Sequence, residues 1–455
     1  MQHAQPGGDG GHAEHGGHPF ADRGVTKLPG TWTGRYLVLL DPRSGTRGLD
    51  ALRSGAGIAP AQRVTGSESG GTAEALEEAG SVVFDGLGVA VVEAFPDQRD
   101  ALLVTARESP AVLHVERERL LFASAVSPPP ELTASADYLQ GYRDGVAQLV
   151  DQALERPATA AGRDGDRAPG WSETSMTWGL QATGITECSA TGRGVRVAVL
   201  DTGVALSHPD LAGRLGATLS FVAGESVEDG QGHGTHCVGT ACGPAEPGEA
   251  PRYGVATEAD IVVGKVLSDQ GSGTDSQILA GINWAVEQGC RVISMSLGAP
   301  TRPGQPHSRV YEQVARRALH AGSILVAASG NESDRPGRVA PVGHPANCPS
   351  VLAVGAVDRD LGIAFFSSAG TTPDDGQVDI AAPGVDVLSS WPAPAHYERL
   401  MGTSMATPHV SGVLALLAEQ EPEATAAELK TLLPSLAHRL PLPAADVGAG
   451  LVRAS

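Results

Sequence analysis

The chain has 455 residues, 41% of them hydrophobic and 18% charged, enough for two or three domains with a sizeable core. A formal net charge of -20, with no basic cluster, excludes nucleic acid as a partner. No apolar run approaches the ~20 residues of a membrane-spanning helix, and no membrane partner is expected. Residues 1–30 are rich in Gly and His and have neither a basic opening nor an apolar stretch, so they do not read as a signal peptide. On the sequence as given the protein is expected in the cytoplasm, unless it is exported by another route or from a different start. His3, His12, His15 and His18 offer imidazoles to a metal, but a low-complexity polar tail accounts for them as well.

Residues 31–124 form one compact pattern. Strands are predicted over 35–41 and 111–123, and helices over 72–80 and 97–109. Residues 81–94 carry two apolar runs around Asp85-Gly86 and Gly88, which predicts a strand, a turn and a strand. The order β-α-β-β-α-β is the ferredoxin-like arrangement, a small α+β domain. Residues 125–170 contain Pro128-Pro129-Pro130, a possible helix over 138–155 and a polar linker.

From 171 to 455, short apolar strands alternate with amphipathic helices. Strands are predicted over 195–200, 261–267, 292–296, 324–328 and 351–357. Helices are predicted over 233–242, 275–288, 308–321 and 404–419. Near-continuous apolar strands flanked by helices predict a parallel sheet covered on both faces, a three-layer α/β/α domain. The five cysteines (Cys188, Cys237, Cys242, Cys290, Cys348) are odd in number, so at least one thiol is unpaired, and they do not suggest a disulfide framework.

Acyl transfer by serine needs a nucleophile, a base and an acid that orients the base. Asp201 ends the run Val197-Ala198-Val199-Leu200, where α/β proteins place their sites. His233 lies in Gly230-Gln231-Gly232-His233-Gly234-Thr235-His236-Cys237, flanked by glycines at the start of a predicted helix, with His236 as a competitor read as structural. Ser404 lies in Gly402-Thr403-Ser404-Met405-Ala406-Thr407-Pro408-His409-Val410 at a helix N-terminus, which favours developing negative charge. A turn Asp, a structural His and a helix N-cap are the plainer readings of each taken singly.

Taken together and in this order, the three segments resemble the Asp, His and Ser signatures of the subtilase family, over about residues 178–450. The His233–Cys237 run is most similar to the proteinase K-like branch. The resemblance implies a serine endopeptidase with Asp201, His233 and Ser404 as its triad, acting as a monomer on protein or peptide substrates and needing no cofactor for catalysis. It makes Asn331, in Val326-Ala327-Ala328-Ser329-Gly330-Asn331, the oxyanion-hole donor beside the Ser404 N–H. It assigns Gly271, Ser272 and Gly273 with Ser296, Leu297 and Gly298 to the segments that pair with substrate backbone. Ala327, Ala328 and Ser329 then line an open, apolar pocket for the residue before the scissile bond, with broad preference. Pro349, Val351 and Asp379 align with a structural calcium site, and Cys237 with a thiol beneath the catalytic histidine.

The 31–124 pattern resembles the subtilase propeptide, through Val82-Val83-Phe84-Asp85-Gly86-Leu87-Gly88-Val89-Ala90 and Val112-Leu113-His114-Val115-Glu116. This implies an intramolecular inhibitor and foldase whose end, about 120–125, lies in the substrate groove, with cleavage within 121–131. The alternatives are an accessory domain that is never removed, a narrow processing protease, a peptide-binding pseudoenzyme and a metal-binding protein acting through its tail.

Overall fold

The computed structural model describes residues 32–58, 62–63, 81–123, 170–371 and 376–454. The His-rich tail, the helices read over 72–80 and 138–155, and most of the linker lie outside the described residues.

The N-terminal unit opens with β1 (Trp32–Leu40), α1 (Arg47–Ala56) and β2 (Gln62–Arg63). It continues with β3 (Ser81–Phe84), β4 (Val89–Glu93), α2 (Pro96–Glu108) and β5 (Val112–Ala123). The Asp85–Gly88 turn closes with Gly88 N–H on the Asp85 carbonyl at 3.1 Å, and sets β3 antiparallel to β4 with Phe84 opposite Val89. The strands run β5-β1-β4-β3-β2 across the sheet. Side chains alternate along β1 as the pleat requires. Tyr36, Val38 and Leu40 pack on Leu49, Leu52 and Ala56 of α1 and Leu102 of α2. Leu37 and Leu39 turn the other way, into the core of the larger unit. The α1 helix was not anticipated. Its apolar stripe is only Leu49, Leu52 and Ala56, interrupted by Gly48, Asp50, Ser54 and Gly55, which score weakly for helix.

The larger unit begins with α3 (Trp178–Ala182), β6 (Arg196–Asp201), β7 (Leu215–Ser220) and α4 (His233–Cys242). Then come β8 (Asp260–Lys265), β9 (Ser272–Thr274), α5 (Asp275–Glu287), β10 (Val292–Met295) and β11 (Leu297–Gly298). Next are α6 (Arg309–Ala321), β12 (Ile324–Ala328), β13 (Leu352–Val357) and β14 (Ile380–Pro383). The chain ends through the antiparallel pair β15 (Val387–Ser390) and β16 (Tyr397–Leu400), then α7 (Thr403–Gln420), α8 (Ala426–Ser435) and α9 (Ala444–Val447).

Seven strands form one wholly parallel sheet in the order β14-β13-β12-β10-β6-β8-β7. Period-two alternation divides β6 between two layers: Val197 and Val199 pack with α4 and α7, while Ala198 and Leu200 pack with α5 and α6. The result is the three-layer α/β/α architecture that the apolar strands implied. Among the described residues no helix is long and apolar enough to cross a membrane, and none of the five cysteines is in a disulfide.

Candidate active site

Asp201 sits at the C-terminal end of β6, fully buried. His233 is the first residue of α4, and the glycines around it allow a close approach. A Cβ at Gly232 (φ 103°) would lie 2.4 Å from the Trp391 ring, and one at Gly234 would lie 2.3 Å from the Gly203 carbonyl. His233 Nδ1–H donates to Asp201 Oδ1 at 2.7 Å, and Thr202 N–H donates to the same oxygen at 2.8 Å. Burial pulls the imidazole pKa down, but the adjacent Asp201 carboxylate overrides it and holds the pKa well above the ordinary histidine value. His236 behaves oppositely. It donates Nε2–H to the Val387 carbonyl at 3.0 Å, and burial lowers its pKa to about 3, so it is a neutral structural group.

Ser404 is the second residue of α7. Pro408, inside the same helix, has no N–H to bond the Ser404 carbonyl four residues back. That carbonyl instead accepts from Ser296 Oγ at 2.8 Å and faces Cys237 Sγ at 3.7 Å. The Ser404 hydroxyl donates to the Ser296 carbonyl at 3.1 Å, and His233 Nε2 is buried without a hydrogen-bond partner. Cys237 Sγ lies 3.9 Å from His233 Nδ1, and burial raises the pKa of this thiol, so it stays protonated. Asn331 is anchored by its Oδ1, which accepts from Thr403 N–H and Oγ1–H, both at 2.9 Å, at the mouth of α7. Ala327, Ala328 and Ser329 are buried along and just beyond β12.

The two backbone segments singled out in the sequence flank one strand. β5 runs antiparallel to both β9 and β11 and lies between them. Leu121 pairs with Gly273, Phe122 with Ser272 and Gly298, and Ala123 with Leu297. Ala123 N–H donates to the Gly271 carbonyl at 2.9 Å. The Leu121 side chain is fully buried in a cluster that includes Leu267, Ile278 and Leu297. Carboxylates of β5 meet the starts of two helices of the larger unit. Glu118 Oε1 accepts from Ser276 N–H at 3.0 Å, and Glu116 Oε1 accepts from Val310 N–H at 2.9 Å and Ser308 Oγ–H at 2.7 Å. These anions stand where helix N-termini favour negative charge.

The profile of the subtilase family matches residues 192–450, more than half of the chain. Subtilisin DY of Bacillus licheniformis is 42% identical over 250 residues, 55% of this chain and 85% of the relative. Subtilisin Savinase of Lederbergia lenta is 40% identical over 58% of this chain and 93% of its own length. M-protease of Shouchella clausii (strain KSM-K16) is 39% identical over 63% of this chain and 71% of its own length.

The chain belongs to the subtilase family.

It is therefore a serine endopeptidase, and the matched span contains Asp201, His233, Asn331 and Ser404. This subtilase holds its histidine loop with a residue that motif reading passed over. Asp229 Oδ1 accepts from Thr202 Oγ1–H at 2.9 Å, Gln231 N–H at 3.1 Å and Gly232 N–H at 2.8 Å. Its Oδ2 accepts from Thr235 N–H at 2.8 Å and Thr235 Oγ1–H at 2.6 Å. The signal was an acid in Glu228-Asp229-Gly230 just before the glycines, indistinguishable from an ordinary loop carboxylate until the fold brings Thr202 beside it. Lys265, also passed over, is fully buried and donates to the Thr202 carbonyl and Asp269 Oδ1, both at 2.6 Å.

The proposed calcium ligands fare differently. The Lys430 ammonium donates to the Pro349 carbonyl at 3.2 Å, and Asp379 Oδ2 accepts from Ala353 N–H at 2.7 Å. Burial raises the Asp379 pKa, and the nearby Lys430 charge partly offsets it. Calcium at Pro349, Val351 and Asp379 needs several oxygens facing one point. The lysine on the Pro349 carbonyl and the peptide N–H on Asp379 Oδ2 would compete with an ion for two of these oxygens.

Proposed function

We propose that this chain is an inhibited precursor of a broad-preference endopeptidase, with Asp201, His233 and Ser404 as its triad, and that it cuts itself after Ser124. The observation that carries this is β5, seated between β9 and β11. Its last described residue, Ala123, pairs with Leu297, the neighbour of Ser296, whose carbonyl holds the Ser404 hydroxyl. The peptide bond after the next residue in sequence, Ser124, is accordingly the one assigned to attack by Ser404, and the segment before it acts as a product-like inhibitor.

The chemistry follows from the groups in place. The Ser404 hydroxyl turns from the Ser296 carbonyl to His233 Nε2, which takes its proton as Oγ attacks the carbonyl carbon. Asp201 keeps Nδ1 protonated and stabilises the imidazolium. The oxyanion accepts from Asn331 Nδ2–H and Ser404 N–H, donors fixed before reaction by Thr403 and by the helix start. His233 then gives its proton to the leaving amine. Water, deprotonated by His233, attacks the acyl-enzyme and returns Ser404. Cys237 beneath the imidazole supports the proteinase K-like affinity at that one position, without joining the chemistry.

Intact-mass measurement on the wild type and Ser404→Ala tests this. The expected result is a cut between Ser124 and Ala125 in the wild type and an uncut, inactive variant. A Ser404→Ala chain still cut at that bond, or still digesting casein, would overturn it.

A further inference from the structure

Asp275, the first residue of α5, is fully buried at the far end of the groove from Ser404. Its Oδ2 accepts two bonds from one residue of β5: Arg119 N–H at 2.8 Å and the Arg119 guanidinium at 3.3 Å. Its Oδ1 has no hydrogen-bond partner and faces His344 Nε2 at 3.4 Å, itself unpartnered and buried. The imidazole packs edge-on to Tyr311 with ring centroids 4.5 Å apart. Burial alone would raise the Asp275 pKa, yet Arg119 and His344 hold it below the ordinary carboxylate value, so it is ionised. Burial and the Arg119 charge lower the His344 pKa, so the ring does not supply the counter-charge. A buried carboxylate without a cation is costly, and the cation here is the arginine of the docked strand.

The two bonds differ in what they ask of a peptide. The N–H of any residue except proline can supply the first, whereas only arginine supplies the second in this geometry. Position is fixed too. Leu120 pairs with Thr274, so residue 119 comes next to Asp275, two residues before the buried Leu121. Within β5, Arg119 Nη2 also meets Glu116 Oε2 at 2.5 Å. A peptide without that glutamate leaves Asp275 as the carboxylate for its arginine.

We infer that Asp275, backed by His344, is a specificity subsite for an arginine five residues before the residue whose carbonyl is attacked. This rests on the reading of β5 as an occupant of the substrate groove. It adds one selective contact to an otherwise apolar and permissive cleft, and it favours peptides with an arginine followed two positions later by a large aliphatic residue.

The test uses the active enzyme obtained by expressing the full chain. Peptides with the sequence of residues 117–128 carry arginine, its neutral isostere citrulline or glutamate at the position of Arg119, and a control replaces the leucine at the position of Leu121 by aspartate. The arginine peptide is expected to exceed the citrulline peptide about fivefold to tenfold in kcat/KM, through KM, with glutamate worse still. The arginine-to-citrulline ratio is expected to fall toward one in Asp275→Asn. Equal rates for arginine and citrulline on the wild type, with the leucine control still strongly impaired, overturn the subsite and leave the groove reading standing. Indifference to both positions overturns the groove reading, and the subsite with it.

Discussion

Single residues decide the chemistry, and their demands are separable. Asn331→Ala keeps the groove but removes one oxyanion donor. It is expected to lower kcat about 100- to 1000-fold, a magnitude established on subtilisin itself, with little change in KM. Steady-state kinetics on one peptide check this. His233 works as a base only when neutral, and Asp201 raises its pKa above the ordinary 6.5. Activity is therefore lost as pH falls through a value above 6.5. A kcat/KM profile with its acid limb below that value would refute the pairing. At Lys430, removal of the ammonium leaves the buried Asp379 carboxylate without a nearby cation. A carboxyl whose folded pKa is raised destabilises the protein as pH rises through that pKa. Lys430→Met is thus expected to lower Tm more at pH 7 than at pH 4, read by thermal melts at both. The residues inside recurring runs, Asp201, His233, Asn331 and Ser404, were legible in the sequence. Asp229 and Asp275 were not, because the partners that give them meaning, Thr202 and Arg119, are distant in sequence and only the fold brings them near.

Elements were legible in proportion to their burial. β12 and α4 fall at the predicted residues because their apolar patterns have sharp ends. The sequence was silent on β7, whose residues are mostly half-exposed, and on the β15–β16 pair, whose alternation is interrupted by Ser and Glu. The last N-terminal strand was anticipated over 111–123, but the use of its acids was not. Glu116 and Glu118 look like solvated charges on a strand, and the structure turns them onto helix starts of the other unit. Glu118 is fully buried and also takes the Arg35 guanidinium at 2.7 Å. In the uncut Ser404→Ala chain, Glu118→Ala therefore removes the acceptor of the Ser276 N–H and the carboxylate that faces the Arg35 guanidinium, which keeps its bond to Ser276 Oγ. It is expected to cost about 1–3 kcal/mol, measured as a fall in the urea midpoint. An unchanged midpoint would show that these groups find water instead.

At the scale of the whole molecule, the central sheet joins strands in the order β14-β13-β12-β10-β6-β8-β7, so most pairings are between segments far apart in the chain. Such contacts form slowly, because loop closure is unfavourable until the sheet exists. The N-terminal unit packs Leu37, Leu39, Phe84 and Val91 onto α5 and α6, and offers them a preformed surface. A chain beginning at residue 170 is expected to regain structure far more slowly after dilution from urea than the full-length Ser404→Ala chain, followed by tryptophan fluorescence. Equal rates would remove any foldase role. The seating of β5 also bears on what is left once it departs. β9 and β11 then become unpaired sheet edges, and open edges invite other chains to pair and aggregate. Here they are three and two residues long and stand on opposite sides of a cleft. An incoming chain must therefore be a single extended strand that satisfies both at once, a geometry that admits a peptide and turns away a neighbouring sheet.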